Sequence, residues 1–219
     1  MPTVTPIEDA SQTPTVRGFL HTPDTPAESG LVLTHGAGSD AHAPLLCAVA
    51  EAFSAARIAV LRCDLPFRQA RPRGSPYPAT AAQDRAGLAS AVHFLKRHVT
   101  GKIYLGGQSY GGRQATMLAA EQPDVAAGLL LLSYPLHPPG RRADLRTAHF
   151  PKLTIPALFI HGTRDPFGSI EEVSAALPLI PASHEIIAIA GAGHDLGGKK
   201  TAARVAATIL EAFRKFAIS

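Results

Sequence analysis

The sequence predicts an α/β protein: a single domain on a mostly parallel sheet, with helices covering both faces. Three observations predict it. Short β-branched or leucine-rich runs end in glycine or proline, and each is followed by a stretch with helical spacing. The alternation runs from about residue 30 to residue 216 with no internal repeat and no low-complexity linker. Strand and helix in regular alternation build parallel sheets, because each crossover lays a helix on one face.

The elements follow in order. Residues 1–14 read as a flexible arm, which leaves 15–219 as the domain. TVRGFLHTP (15–23) and its surroundings are expected to add an antiparallel edge. Buried strands are expected at GLVLTHG (30–36), ARIAVLRCDLP (56–66), GKIYLGG (101–107), GLLLLSYP (128–135), ALFIHG (157–162) and EIIAIAG (185–191). Helices are expected between them, at 41–56, 79–99, 112–121, 170–177 and 199–216. In the longest, Ala82, Leu88, Val92, Leu95 and His98 recur at helical spacing. Residues 135–153 hold only a loop with one helical turn, so no substantial cap domain is expected and short acyl groups should be preferred.

Composition narrows the function classes. Hydrophobic residues are 46% and charged residues 17%, the make-up of a compact chain with a sizeable core. A net charge of +4 is too mild to suggest a nucleic-acid partner. The longest apolar run, AAGLLLL (126–132), cannot span a bilayer. The N-terminus has neither the basic start nor the apolar core of a secretory signal. Cys47 and Cys63 show no metal spacing and read as reduced thiols, consistent with a cytoplasmic location.

Chemistry is expected beyond the carboxyl ends of the strands. There, Gly107-Gln108-Ser109-Tyr110-Gly111 fits G-x-S-x-G at a strand-to-helix junction. A serine on so sharp a turn needs glycine neighbours, since side chains there would clash. A serine hydroxyl is a poor nucleophile without a base, so the pattern calls for a histidine and an orienting carboxylate. Asp165 follows one later strand and His194 the last one, both on the edge that carries Ser109. Asp195 remains the alternative acid, with Asp165 then a helix cap near Ser169. The backbone N–H groups of Ala37 and Tyr110 are the expected oxyanion donors, with Gly38 the alternate to Ala37.

Gly36-Ala37-Gly38-Ser39-Asp40-Ala41 also fits a dinucleotide fingerprint, with Arg62 placed to meet a 2′-phosphate. That reading explains none of the other motifs, so it ranks below the hydrolase one. His35 and His42 lack the spacing of a metal site, and neither a metal nor a cofactor is expected.

The segments LTHGAG, GGQSYGGRQA, HGTRDPFG and GAGHDL resemble those of the α/β-hydrolase superfamily, and the resemblance runs from about Val16 to the C-terminus. More narrowly the chain is similar to the small dienelactone-hydrolase-like predicted hydrolases, the group that includes testis-expressed hydrolase-like proteins. The resemblance implies Ser109 as nucleophile, His194 as general base and acid, and Asp165 as orienting carboxylate. Dienelactone hydrolase itself has a cysteine where this chain has Ser109, so its substrate is not carried over. The implied partner is a small-molecule ester or other acyl compound. The competing class is a hydrolase-fold scaffold without turnover.

Two loops at the same edge are rich in arginine. One carries Arg62, Arg68, Arg71 and Arg73, the other Arg141, Arg142 and Arg146. Two readings stay open. The arginines keep exposed loops solvated, or they form a basic rim, with Arg71, Arg73, Arg141 and Arg142 as its substrate-binding candidates, that draws anionic substrates.

Overall fold

The computed structural model describes residues 1–218. Its centre is an eight-stranded sheet of order β1-β2-β4-β3-β5-β6-β7-β8. The strands are β1 (Thr3–Asp9), β2 (Val16–Thr22), β3 (Ser29–Thr34), β4 (Ile58–Cys63), β5 (Lys102–Gln108), β6 (Leu129–Leu132), β7 (Ala157–Gly162) and β8 (His184–Ile189). β2 runs antiparallel to both its neighbours, and every other pairing is parallel. The central strands are apolar on both faces, as sheets covered on both sides require. All of β6 and β7 is buried, and β3 is buried from Gly30 to Thr34.

The helices are α1 (Pro44–Ala55), α2 (Pro66–Ala70), α3 (Ala81–Lys96), α4 (Tyr110–Glu121), α5 (Ile170–Ala176) and α6 (Ala202–Ile218). They divide the core into two layers. Leu46, Val49 and Phe53 of α1 pack with Ile209 and Phe213 of α6 against Leu31, Leu33 and Leu130. Leu88 and Leu95 of α3, Leu118 of α4 and Val173 of α5 pack on the opposite face, against Val32, Leu105 and Phe159. Alternate residues of one strand thus feed opposite layers.

The structure differs from the sequence expectation at three places away from the site. The segment expected as a flexible arm contains β1, which pairs with β2 from Thr3↔Thr22 to Asp9↔Val16. Its residues are exposed or only half buried, so backbone hydrogen bonds place it and no burial period marks it. Arg17 and Arg97 add ion pairs to Glu8 and Asp9. The short α2 was not expected; Pro66 opens it and the buried Asp84 carboxylate accepts the Phe67 N–H at 3.0 Å. Arg62 is not free to meet a ligand. It is buried, donates to His21 Nε2 at 2.9 Å and to the Ala41 carbonyl, and lies over the Phe19 ring.

One buried and one half-buried imidazole are expected to make the fold sensitive to acid. Burial, then the Arg62 charge, lowers His21 from 6.5 to about 4. Burial, then Arg113 and Arg85, lowers His149 from 6.5 to about 4. The unfolded chain therefore takes up these protons at higher pH than the folded one. Their contribution is fully present above the unfolded value of 6.5 and is lost as pH falls through about 4. Each is expected to contribute on the order of 2 kcal/mol. Urea unfolding of the wild type and of His149→Gln at about pH 7.5 and about pH 4.5 checks this: the variant should lose less stability between the two. Equal losses would remove His149 as a source of the effect.

Candidate active site

Parallel strands deliver their carboxyl ends to one edge, and the site is assembled there from four of them. β3 and β5 lie in register, Thr34 opposite Gly107, so the loop after β3 and the turn after β5 meet. Ser109 sits in that turn with φ 51° and ψ −116°, a left-handed conformation costly for a residue with a Cβ. Neighbouring bonds hold it there. Its N–H donates to the Leu132 carbonyl at 2.8 Å, and its own carbonyl accepts the Arg113 N–H at 3.0 Å.

Two glycines permit the turn. A Cβ on Gly107 would stand 2.7 Å from the Gly111 and Gly112 backbone. One on Gly111 would stand 2.5 Å from the His35 carbonyl oxygen. α4 can therefore start directly over β5, with its N-terminus at the serine.

β7 and β8 supply the other groups. The Asp165 carboxylate, whose side chain is fully buried, accepts from His194 Nδ1 at 2.8 and 3.0 Å. It also accepts the Phe167 N–H at 2.8 Å. An unprotonated Nε2 is then left facing Ser109, and it lies 2.7 Å from the hydroxyl oxygen. The Phe167 ring stacks on the imidazole, with centroids 4.1 Å apart and planes 28° apart, which fixes its tilt. Asp195 does not contact the ring nitrogens; its Oδ1 accepts the Gly197 N–H at 3.1 Å. The cap of α5 is Ser169, in a capping box with Glu172, so Asp165 is not used as one.

Ala37 and Tyr110 line the same cavity as Ser109. Tyr110 is the first residue of α4, where an N–H has no helical acceptor. Both are held from behind. The Tyr110 hydroxyl donates to Asp84 at 2.7 Å, and burial raises the Asp84 carboxyl above its usual range despite that bond. The buried Arg68 donates to the carbonyls of Ala37 at 2.9 Å and Ser39 at 2.8 Å. The His35 ring stands between the Gly36 carbonyl and the Leu65 N–H, so it serves the loop and not a metal. The helix after this loop begins only at Pro44, so the loop does not open a helix as the dinucleotide fingerprint does.

A family model described as an alpha/beta hydrolase domain matches residues 27–217. The chain belongs to the α/β-hydrolase family. Solved α/β-hydrolase structures share its fold almost end to end. Dienelactone hydrolase from Anabaena variabilis is 24% identical, with a TM-score of 0.76 and 98% of each chain covered. Est1E from Butyrivibrio proteoclasticus, with ferulic acid bound, is 18% identical, with a TM-score of 0.77 over 97% of this chain and 100% of that one. A serine hydrolase without lid from Xanthomonas campestris is 15% identical, with a TM-score of 0.74 over 98% of this chain and 96% of that one. Family membership supports a hydrolase activity. As in an α/β-hydrolase without a cap, the connection from β6 to β7 holds a single short 3₁₀ turn, Phe150–Lys152.

The cavity above Ser109 has a volume of about 1030 Å³. Of the seven arginines in the two loops singled out from the sequence, Arg146 lines it and the other six do not. Arg71 donates to Ser75 and lies 4.0 Å from the Tyr77 ring centroid, Arg73 is exposed, Arg141 pairs with Asp144 and Arg142 with Glu172. Local partners and loop tips take these side chains away. The arginines that do line the cavity are Arg85, Arg113 and Arg146. Arg113 and Arg85 were legible only as helix positions, Arg113 one turn beyond the serine; nothing in the chain marks their direction.

Proposed function

We propose that this α/β-hydrolase is a serine esterase, acting on a small carboxylic ester or related acyl compound through an acyl-enzyme. The observation that carries the reading is the hydrogen-bonded series Ser109, His194, Asp165 at the base of the cavity. His194 Nε2 takes the Ser109 proton as Oγ bonds to the acyl carbon. The negative oxygen of the tetrahedral intermediate is met by the Ala37 and Tyr110 N–H groups. The alcohol then leaves with the proton from His194. Water attacks the acyl-serine with His194 as base, and the acid is released.

A cavity of this volume suits a small molecule. Ferulic acid in Est1E supports a product acid of that size, and the basic wall supports an anionic substrate. With no cap to enclose a long chain, acetate and butyrate esters are expected to turn over faster than palmitate esters. A fluorophosphonate probe tests the mechanism: wild-type protein should be labelled and Ser109→Ala should not. A folded wild type that takes up no label would instead favour a scaffold without turnover.

A further inference from the structure

One wall of the cavity gathers positive charge with little to balance it. Arg85 comes from α3, Arg113 from α4 and Arg146 from the β6–β7 connection. Among the described residues, the one carboxylate within ion-pair distance of the three is Glu121, which pairs with Arg85 at 2.9 Å. Arg113 and Arg146 have none. They are close enough that the Arg113 charge, after burial, lowers Arg146 below its ordinary value. Burial, then the Arg113 and Arg85 charges, lowers His149 to about 4 as well, so it is neutral at pH 7.

Hydrogen bonding is incomplete at the same place. Gln114 lines the cavity and is 0% exposed; its Oε1 accepts from Arg85 at 3.2 Å, while its Nε2 has no partner. Arg113 Nε is likewise buried without an acceptor. Buried donors without acceptors and like charges held together are both costly, and a single anion relieves both. Around them the cavity is apolar, with Ala82, Met117 and Pro135. Such a wall fits a short apolar chain that ends in an oxyanion.

We propose that Arg113, Arg146 and the Gln114 amide form a subsite for a carboxylate carried by the substrate, remote from the bond that is cut. The inference rests on the esterase reading above and names its substrate class: half-esters of dicarboxylic acids, or esters of hydroxy acids. Arg113 is four residues past Ser109, so α4 advances ~6 Å between them, a span for a short acid. The remote carboxylate is unchanged by the reaction, in which water and the ester give the acid and the alcohol.

The test compares charged and capped substrates. 4-Nitrophenyl hydrogen glutarate carries the charge on the acyl side, and 4-acetoxybenzoate carries it on the alcohol side. Their methyl-capped counterparts are neutral. In at least one pair, Arg146→Gln and Arg113→Gln should each lower kcat/KM for the anion about 10- to 100-fold, and change it for the neutral ester by less than about twofold. Which pair responds tells the side. An unchanged anion-to-neutral ratio in both pairs, in variants with wild-type circular dichroism, would overturn the subsite. If the wild type turns over none of the four esters, the esterase reading fails, and binding decides the subsite separately. Calorimetric binding of glutarate or 4-hydroxybenzoate that is lost in Arg146→Gln would uphold it. Failure of the wild type to bind either would overturn it.

Discussion

Replacing Ser109 by alanine is expected to lower ester turnover by a factor on the order of 10⁴–10⁶, because no other group can accept the acyl carbon. The fold should survive. Ser109 owes its place to backbone bonds from Leu132 and Arg113, which alanine retains, and the close approach above it depends on Gly107 and Gly111. The lost hydroxyl makes one side-chain contact, to His194. Residual rate would then come from the oxyanion donors and the cavity alone. Steady-state kinetics on 4-nitrophenyl butyrate, with a thermal melt as fold control, checks it. Wild-type kcat in the variant would remove Ser109 as nucleophile.

Replacing Asp165 by asparagine is expected to cost about 10⁴ in kcat through the histidine's tautomer. The carboxylate accepts from both His194 Nδ1 and the Phe167 N–H. An asparagine that keeps its oxygen on Phe167 turns its NH₂ towards Nδ1. That nitrogen must then accept, which puts the ring proton on Nε2, facing Ser109, where a lone pair is needed. Asp195→Asn should leave kcat nearly unchanged, since Asp195 serves a turn at Gly197. The reverse outcome, with Asp165→Asn active and Asp195→Asn dead, would move the acid to its neighbour.

Much of this was legible in the chain because each signal was local. Leu129–Leu132 reads as a buried strand wherever it stands, and it is one. The order of Ser109, Asp165 and His194, each just past a strand, was enough to bring them to one edge, since parallel strands share that edge. Direction was not legible. Arg68 and Arg71 are three residues apart, yet one is buried on the carbonyls of Ala37 and Ser39 while the other lies over Tyr77. Which way a loop folds depends on partners such as Ser39 and Asp84, far away in sequence. β1 escaped notice for a different reason. An edge strand with no fully buried residue leaves no alternation to read, and its pairing with β2 is written in backbone atoms that every residue has.

If His194 is the base proposed above, its position ties activity to the completeness of the sheet. It is carried by the loop after β8, a strand that pairs with β7 alone, whereas Ser109 follows β5 between two parallel neighbours. The two atoms that meet at 2.7 Å lie 85 residues apart in the chain. On the proposed mechanism, no fragment that ends before β8 holds the base His194, and no partly zipped sheet presents it to Ser109. Recovery of turnover during refolding is therefore a clock for the last parallel strand to dock. It will run behind signals from helix formation, because contacts of such long sequence separation are closed late.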